Sequence, residues 1–235
     1  MMVRLALIFV LGIFSFAVDV QPYKVFVAGE MRRIMQRGEL SPVIKLDTIK
    51  GKHTFGLGPA AWLKGEIILL DGVSHVSYLD NDKIVTMQTP DADASMFVYV
   101  SIANWQIIQM DEPVNNMESL ELIVEKIAQQ KGLDLTQPVP FKIIVSKETL
   151  SYHVIDWKEG TPHTTATHKR FAKIGRLNNE PVTIVGFYSS SHQGIITPHT
   201  SKIHAHFLGG SEQVVGHVDD IKIENGYKLS FPKIK

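Results

Sequence analysis

Three histidines lie on one strand–turn–strand stretch near the C-terminus, and this stretch constrains the fold more than any other. His204 and His206 alternate within the apolar run of residues 203–208, and His217 follows a glycine-containing turn. Because alternate residues of a strand share a face, His204 and His206 point to the same side. If residues 208–215 form a hairpin, His206 faces His217 with Cβ atoms roughly 4.5–5.5 Å apart, and His204 lies diagonal to it. The spacing therefore predicts three imidazoles on one patch.

Such a patch can bind a metal ion, and the composition limits the other ligands. The chain has no cysteine, so a transition-metal site must use histidine and carboxylate. Zinc suits three neutral imidazoles, and iron, nickel or manganese are alternatives. Strand histidines without any ligand are the other interpretation. His192 and His199, in the preceding loop, could replace one of the three but are interpreted as surface residues.

Glu66 is the second candidate, because it is a carboxylate inside the otherwise apolar run of residues 65–70. An unpaired buried carboxylate is costly, so Glu66 must be paired, metal-bound or facing water. His163 and His168 lie in a threonine-rich stretch and are expected to be solvated. The sequence contains no H-E-x-x-H, G-x-S-x-G, P-loop or complete dinucleotide-binding motif. A cupin pattern, with Glu212 as its carboxylate, is the nearest competitor.

The order of predicted elements indicates an α+β fold with two domains, mixed or antiparallel sheets and a few helices. Strands alternate with turn signals such as Asp71-Gly72, and a helix is capped by Asn116 and ends at Gly132. The two α+β units are expected at residues 18–137 and 138–235, with the histidines in the second. They meet near a proline-flanked segment without a flexible linker.

The N-terminus is predicted to be a secretory signal peptide. Residues 5–17 form an apolar run that follows Arg4, and Ser15 and Ala17 supply the small residues of a cleavage site. The run is shorter than the roughly 20 residues of a membrane span. We expect cleavage near Ala17 and a secreted or periplasmic protein. Lys+Arg and Asp+Glu balance at 24 each, so the charge indicates neither nucleic acid nor an anionic membrane as a partner.

Several stretches together resemble the alpha-acetolactate decarboxylase family, with its GxGTF…LDGE…DG segment and its HLHF…GGHVxD ligand motif. In chain order, the similar stretches are residues 56–58, 63–72, 185–187, 194–195, 204–207 and 216–220. The order agrees from about residue 25 to residue 228. The resemblance covers nearly the whole chain after the predicted signal peptide.

The resemblance implies a two-domain α+β fold with zinc at the base of a cleft, often as a homodimer. It implies that His204, His206 and His217 are the zinc ligands and that Glu66 is the carboxylate beside the metal. The implied enzyme is a carboxy-lyase that converts 2-acetolactate, or a related 2-hydroxy-3-oxo acid, to acetoin and CO2. In it the zinc acts as a Lewis acid and the glutamate as acid/base. The implied partner is this small-molecule substrate.

Two groups of the family have no counterpart at the matched positions. The family's arginine for the substrate carboxylate corresponds to Val145, and Lys147 is offered as a weak substitute. A second glutamate near the family's C-terminus is also missing, since Glu224 is the last carboxylate residue here. These departures leave two alternatives open. One is a non-catalytic member of the same fold that binds a metal or a small molecule, and the other is a cupin-like metalloenzyme.

Overall fold

The computed structural model describes residues 23–162 and 164–234. Up to residue 110 the elements are β1 (Val25–Ala28), α1 (Met31–Arg37), β2 (Ile44–Lys45), β3 (Thr54–Pro59), β4 (Glu66–Leu70), β5 (Val73–Asp80), β6 (Lys83–Gln88), β7 (Asp93–Ala94), β8 (Phe97–Ser101) and β9 (Trp105–Met110). They are followed by α2 (Met117–Gln130), β10 (Val139–Val145), β11 (Glu148–Ile155), α3 (Thr165–Arg170), β12 (Ala172–Asn178), β13 (Val182–Tyr188), β14 (Ile203–Gly209), β15 (Val214–Ile223) and β16 (Tyr227–Pro232). This strand-rich chain with few helices confirms the predicted fold class.

Six strands form the first large sheet in the order β1-β8-β3-β4-β5-β6, with antiparallel neighbours. Its hairpin β4–β5 turns through Asp71 and Gly72, whose φ angles of 52° and 82° are those that a type I′ turn requires. Gly65, directly before β4, has a φ of 142°, and a Cβ there would lie 2.1 Å from the carbonyl oxygen of Ser77. Glycine at this position therefore allows β4 to begin, with Glu66, close against β5.

Eight strands form the second large sheet in the order β12-β11-β15-β14-β13-β10-β16-β9, again antiparallel throughout. The hairpin β14–β15 has the register that the histidine spacing predicts, with His206 opposite His217. On its other side β15 pairs with β11, which places His153 opposite His217. Three histidine-bearing strands therefore lie side by side. Strands β2 and β7 form a separate two-stranded sheet.

The two large sheets pack face to face, and α2 covers the outer face of the eight-stranded sheet. Phe207 of β14 lies in a buried cluster with Leu120 of α2. Phe187 of β13 lies in a second cluster with Leu57 and Ile68 of the six-stranded sheet. Burial of such a side chain stabilises the fold by about 1.5–3 kcal/mol. The eight-stranded sheet is therefore apolar on both faces, and polar groups between the sheets need partners.

Five described elements were not predicted from the sequence, namely β3, β6, β7, β12 and α3. Residues 96–110, a run rich in valine, isoleucine and aromatic residues, form β8 and β9, which belong to different sheets. The boundary between residues 137 and 138 stays a prediction, although β9 from before it pairs with β16 from after it. The predicted signal peptide lies outside the described residues. Among the described helices, none is long and apolar enough to span a membrane.

Helix α2 begins at the asparagine that the sequence predicts. The Asn116 side chain accepts a hydrogen bond from the Ser119 N–H (2.8 Å), and the Ser119 hydroxyl accepts one from the Asn116 N–H (3.0 Å). These reciprocal bonds form a capping box that satisfies N–H groups at the start of the helix. Because α2 covers the eight-stranded sheet, its start affects the stability of the whole layer.

We expect Asn116→Ala to lower the free energy of unfolding by about 1 kcal/mol, since the substitution removes the capping oxygen. Urea denaturation followed by circular dichroism measures this change. Asn115→Ala is the matched control, because Asn115 contacts the Ser119 hydroxyl through its backbone N–H. Equal stability of the two variants would contradict a capping role for Asn116.

Candidate metal centre

Four histidines and a glutamate meet between the two sheets. Glu66 is the first residue of β4, His204 and His206 lie on β14, His217 on β15 and His153 on β11. Since side chains alternate along a strand, the two β14 histidines point away from the α2 side and toward the six-stranded sheet. Glu66 and His206 are buried, with side-chain exposures of 4% and 0%. The structure thus brings together the four residues that the sequence predicts for the site and adds His153.

The rings of His204 and His206 are oriented by backbone carbonyl groups. His206 Nδ1 lies 2.9 Å from the carbonyl oxygen of Ile67, in the opposite sheet. His204 Nδ1 lies 2.8 Å from the carbonyl oxygen of Ile196, in the loop before β14. A carbonyl oxygen can only accept a hydrogen bond, so both Nδ1 atoms carry the proton. In the neutral rings the Nε2 atoms therefore present lone pairs.

These two Nε2 atoms face each other at 3.2 Å. Burial, together with the neighbouring His217, lowers the pKa of His204 to about 3. Burial and the charges of the surrounding histidines also lower the pKa of His206 well below its ordinary value. Both rings are consequently neutral at physiological pH. Two lone pairs at this distance repel each other unless a cation lies between them.

His217 and His153 are held by one carboxylate. Asp219 Oδ1 lies 2.7 Å from His153 Nδ1 and 3.1 Å from His217 Nδ1. Burial acts to raise the pKa of Asp219, but these hydrogen bonds outweigh it and hold the pKa well below its ordinary value. A carboxylate that accepts from Nδ1 leaves Nε2 of the ring available as a ligand. His217 therefore has the same tautomer as the two β14 histidines.

The donor set fits a divalent transition metal. The His217 ring centre lies 5.3 Å from that of His204 and 5.5 Å from that of His206. Two nitrogens bound roughly 2.0–2.1 Å from a tetrahedral zinc ion lie about 3.3 Å apart, close to the separation between the His204 and His206 Nε2 atoms. Each of the three rings has an oxygen acceptor at Nδ1, as metal-bound histidines almost always do.

A second ligand set overlaps with the first. Nitrogens of His153 and His217 and an oxygen of Asp219 lie within 4.8 Å of one another and could also hold a metal ion. In that set Asp219 would lose its hydrogen bonds to the two Nδ1 atoms. We favour the set of His204, His206 and His217, because it uses the facing lone pairs of His204 and His206 and keeps the Asp219 hydrogen bonds.

Glu66 lies beside the histidines with its carboxylate toward them. One carboxylate oxygen is 3.5 Å from His206 Nε2 and the other is 3.8 Å from His153 Nε2. Burial raises the pKa of Glu66 to about 7, although the charge of His153 and the Ile155 N–H act in the opposite direction. Burial also acts to lower the pKa of His153, but the hydrogen bond to Asp219 and the charge of Glu66 raise it overall.

His153, His204 and His217 border a cavity of about 530 Å³. Glu66 and Asp219 border the same cavity, and so do His168 and the exposed Lys169 of α3. His168 Nε2 lies 3.4 Å from His153 Nε2, so the expectation that His168 is solvated was wrong. The remaining wall consists mainly of methionine, isoleucine and leucine side chains, from α1 and from both sheets.

Several residues considered in the sequence analysis lie elsewhere. Val145 is buried on the α2 side of the eight-stranded sheet, and Lys147 is exposed. Placing the substrate-carboxylate position at Val145 was therefore wrong. His199 is exposed and His192 contacts the Ser189 hydroxyl (2.8 Å), as expected for residues outside the site. His163 lies outside the described residues.

The turn between β14 and β15 removes the cupin alternative. Glu212 is exposed at the tip of this hairpin, beyond the last paired residues Gly209 and Val214. It does not border the cavity. The carboxylate at the histidines comes instead from β4, in the opposite sheet. Sequence reasoning missed His153 and Asp219, and their signal was weak: one histidine in a predicted strand and one acidic residue two positions after His217.

Known proteins resemble this chain in sequence and in fold. A family model described as alpha-acetolactate decarboxylase matches residues 25–235. The fold is similar to that of alpha-acetolactate decarboxylase from Bacillus subtilis strain 168, with a TM-score of 0.70 and 20% identity over 89% of this chain and 85% of that chain. For acetolactate decarboxylase from Bacillus subtilis subspecies spizizenii the TM-score is 0.66, with 21% identity over 89% and 86% of the two chains.

A third solved structure is that of a Staphylococcus aureus protein of unknown function described as similar to alpha-acetolactate decarboxylase. Its TM-score is 0.67, with 14% identity over 88% of this chain and 84% of that chain. Among curated proteins, none matches this chain in sequence. At these identities the structural likeness shows the fold alone. In fold, it confirms the predicted resemblance to acetolactate decarboxylases.

We expect the double variant His204→Ala/His206→Ala to lose stoichiometric zinc binding, because it removes the facing lone pairs. Asp219→Asn should weaken zinc binding by about 10- to 100-fold, since it impairs the acceptor that orients His217. Competition against a chromophoric chelator measures both affinities. The exposed His199→Ala is the matched control and should bind as the wild type does.

The same titration distinguishes the two ligand sets. If His153, His217 and Asp219 held the ion, the double variant would retain zinc and Asp219→Asn would lose it. That result would contradict the assignment made here.

Proposed function

Since the match over residues 25–235 shows that the chain belongs to the alpha-acetolactate decarboxylase family, we propose that it is a metal-dependent decarboxylase of 2-hydroxy-3-oxo acids, with 2-acetolactate as the reference substrate. The facing Nε2 atoms of His204 and His206, 3.2 Å apart with both Nδ1 protons engaged, carry this proposal. They give the decarboxylase a cation-binding site beside the cavity.

We propose that His204, His206 and His217 hold the metal and that it is zinc. When bound, such an ion supplies Lewis acidity for the adjacent hydroxyl and ketone oxygens of the substrate. Three neutral imidazoles are a donor set that zinc accepts. The sequence has no cysteine, so no thiolate can take the place of an imidazole. Asp219 and the carbonyl groups of Ile67 and Ile196 fix the three rings in advance, so the ligands need no reorganisation when the ion enters.

Glu66 is the proposed proton donor. When the carboxylate carbon leaves as CO2, the carbon–carbon electron pair stays with the substrate, and the carbon that carried the carboxylate must gain a proton. The Glu66 carboxyl group lies beside the histidines, inside the cavity and shielded from bulk water. Delivery of the proton from this fixed position would reach one face of the carbon and give a single stereoisomer of the hydroxyketone.

Lys169 is the proposed partner of the substrate carboxylate. It borders the cavity on α3, and it supplies the positive charge that Val145 does not. The non-catalytic alternative was suggested by the valine at position 145 and by the missing second glutamate. Since Val145 packs on the α2 side of the sheet, away from the cavity, the valine provides no argument against turnover.

Export of the protein is a further part of the proposal and rests on the basic and apolar residues at the N-terminus. If the signal peptide is cleaved near Ala17, the secreted or periplasmic protein begins at Val18. Intact-mass measurement of the protein recovered from each cellular fraction tests this. Protein that retains Met1 and stays in the cytoplasm would contradict export. The homodimer implied by the family resemblance stays a prediction, which light scattering can test.

We expect the zinc-loaded protein to release CO2 and acetoin from racemic 2-acetolactate. Glu66→Gln should lower kcat by about 10²- to 10⁴-fold, because the amide cannot deliver a proton. Lys169→Gln should raise KM about tenfold with a smaller change in kcat, since it removes a charged hydrogen-bond donor for the substrate. A coupled assay of acetoin formation measures these constants.

The control for both variants is Lys173→Gln, because Lys173 pairs with Asp82 outside the cavity. It should turn over acetolactate at the wild-type rate. Absence of turnover in the zinc-loaded wild-type protein, above the level of His204→Ala/His206→Ala, would refute the proposed function.

A further inference from the structure

The cavity beside the histidines is larger than acetolactate requires. At roughly 30 Å³ per heavy atom, the share of one water molecule in the liquid, the about nine non-hydrogen atoms of acetolactate would occupy roughly half of the space. The cavity volume of about 530 Å³ instead falls within the roughly 300–1,000 Å³ of pockets that enclose drug-sized ligands. About half of the volume is therefore free for a part of the substrate that acetolactate lacks.

The free part of the cavity is apolar. The charged and imidazole groups are confined to the end with Glu66 and to α3. Residues that line the rest include Met31, Met35, Leu63 and Met96. A wall of this kind gains free energy when it contacts a hydrocarbon chain, in proportion to the apolar area removed from water.

Helix α1 forms one side of this wall and is fastened to the loop before β14. The Met31 N–H donates to the carbonyl oxygen of Ile195 (2.9 Å), and the Arg32 N–H donates to that of Gly194 (2.7 Å). Ile34 is buried against the core, which fixes the helix rotation so that Met31 and Met35 face the cavity. Methionine side chains adapt to ligands of different shape. The wall is therefore fixed in its backbone and adaptable at its surface.

We propose that the substrate of this site is a 2-hydroxy-3-oxo acid with an apolar chain longer than the methyl groups of acetolactate. This inference rests on the proposed function and deepens it. The hydroxy-keto acid group lies at the histidine end, and the chain extends along the apolar wall toward Met31 and Met35 of α1. The unfilled half of the cavity accommodates about four to eight further carbons at roughly 30 Å³ each.

A homologous series of substrates tests the inference. The zinc-loaded protein is given 2-hydroxy-3-oxobutanoates with methyl, propyl, pentyl and heptyl groups at carbon 2, and CO2 release is measured. We expect kcat/KM to rise roughly fourfold per added methylene until the cavity is full. A kcat/KM that falls from methyl to pentyl, while acetolactate is turned over, would overturn the long-chain inference and leave the proposed function intact.

Two variants locate the chain. Met35→Gln keeps nearly the same side-chain size but makes the wall polar, and we expect it to reduce the pentyl-to-methyl ratio of kcat/KM at least tenfold. Ile107→Gln is the control, because Ile107 is an exposed apolar residue on β9 outside the cavity. It should leave the ratio unchanged. An unchanged ratio in Met35→Gln would overturn the placement of the chain against α1.

A binding measurement separates this inference from the proposed function. Calorimetry compares 2-hydroxyoctanoate with lactate, which share the hydroxy-acid group and cannot be decarboxylated as 2-hydroxy-3-oxo acids are. At least tenfold tighter binding of 2-hydroxyoctanoate supports the apolar-chain site. If the protein binds it this tightly but turns over no substrate of the series, only the proposed reaction is refuted. Equal affinities of the two acids would overturn the inference, whatever the turnover.

Discussion

The hydrogen bond between His206 and the carbonyl group of Ile67 is the interaction on which the site depends. It joins the sheet that carries the glutamate to the sheet that carries the histidines, in a region where water does not compete. A buried polar group without a partner costs free energy, so this bond also fixes how the two sheets can lie against each other. The Val215 N–H donates to the Ser77 hydroxyl across the same interface (2.8 Å). The apolar packing brings the sheets together, and these polar bonds determine their register.

Much of the site could be predicted from the sequence, because its strongest signals are local. His204, His206 and His217 lie on one hairpin, and the period of two along a strand sets which side chains share a face. Glu66 was recognisable because it interrupts an apolar strand. That these two hairpins belong to different sheets was not predictable from spacing, since a hairpin pattern contains no information on which sheet packs against it.

Long-range pairing explains the residues that were missed. His153 enters the site because β11 pairs with β15, and the two partners His153 and His217 are far apart in the sequence. Asp219 became recognisable as the acceptor for both rings once this pairing was known. The substrate-carboxylate position was assigned to Val145 from the family resemblance. The alternation along β10 puts this side chain on the α2 face, and the proposed carboxylate partner, Lys169, lies on a helix that the sequence did not reveal.

The loop before β14 is hydrogen-bonded both to the His204 ring and to helix α1. Its Ile196 carbonyl orients His204, and its Gly194 and Ile195 carbonyls anchor α1. The depth of the cavity and the position of one imidazole are therefore set by the same few peptide groups. A shift of the α1 backbone would be transmitted to His204, whereas an exchange of α1 side chains would not. In this scaffold, substitutions at positions 31 and 35 can change which length of substrate chain is preferred. They leave the chemistry at the histidines the same.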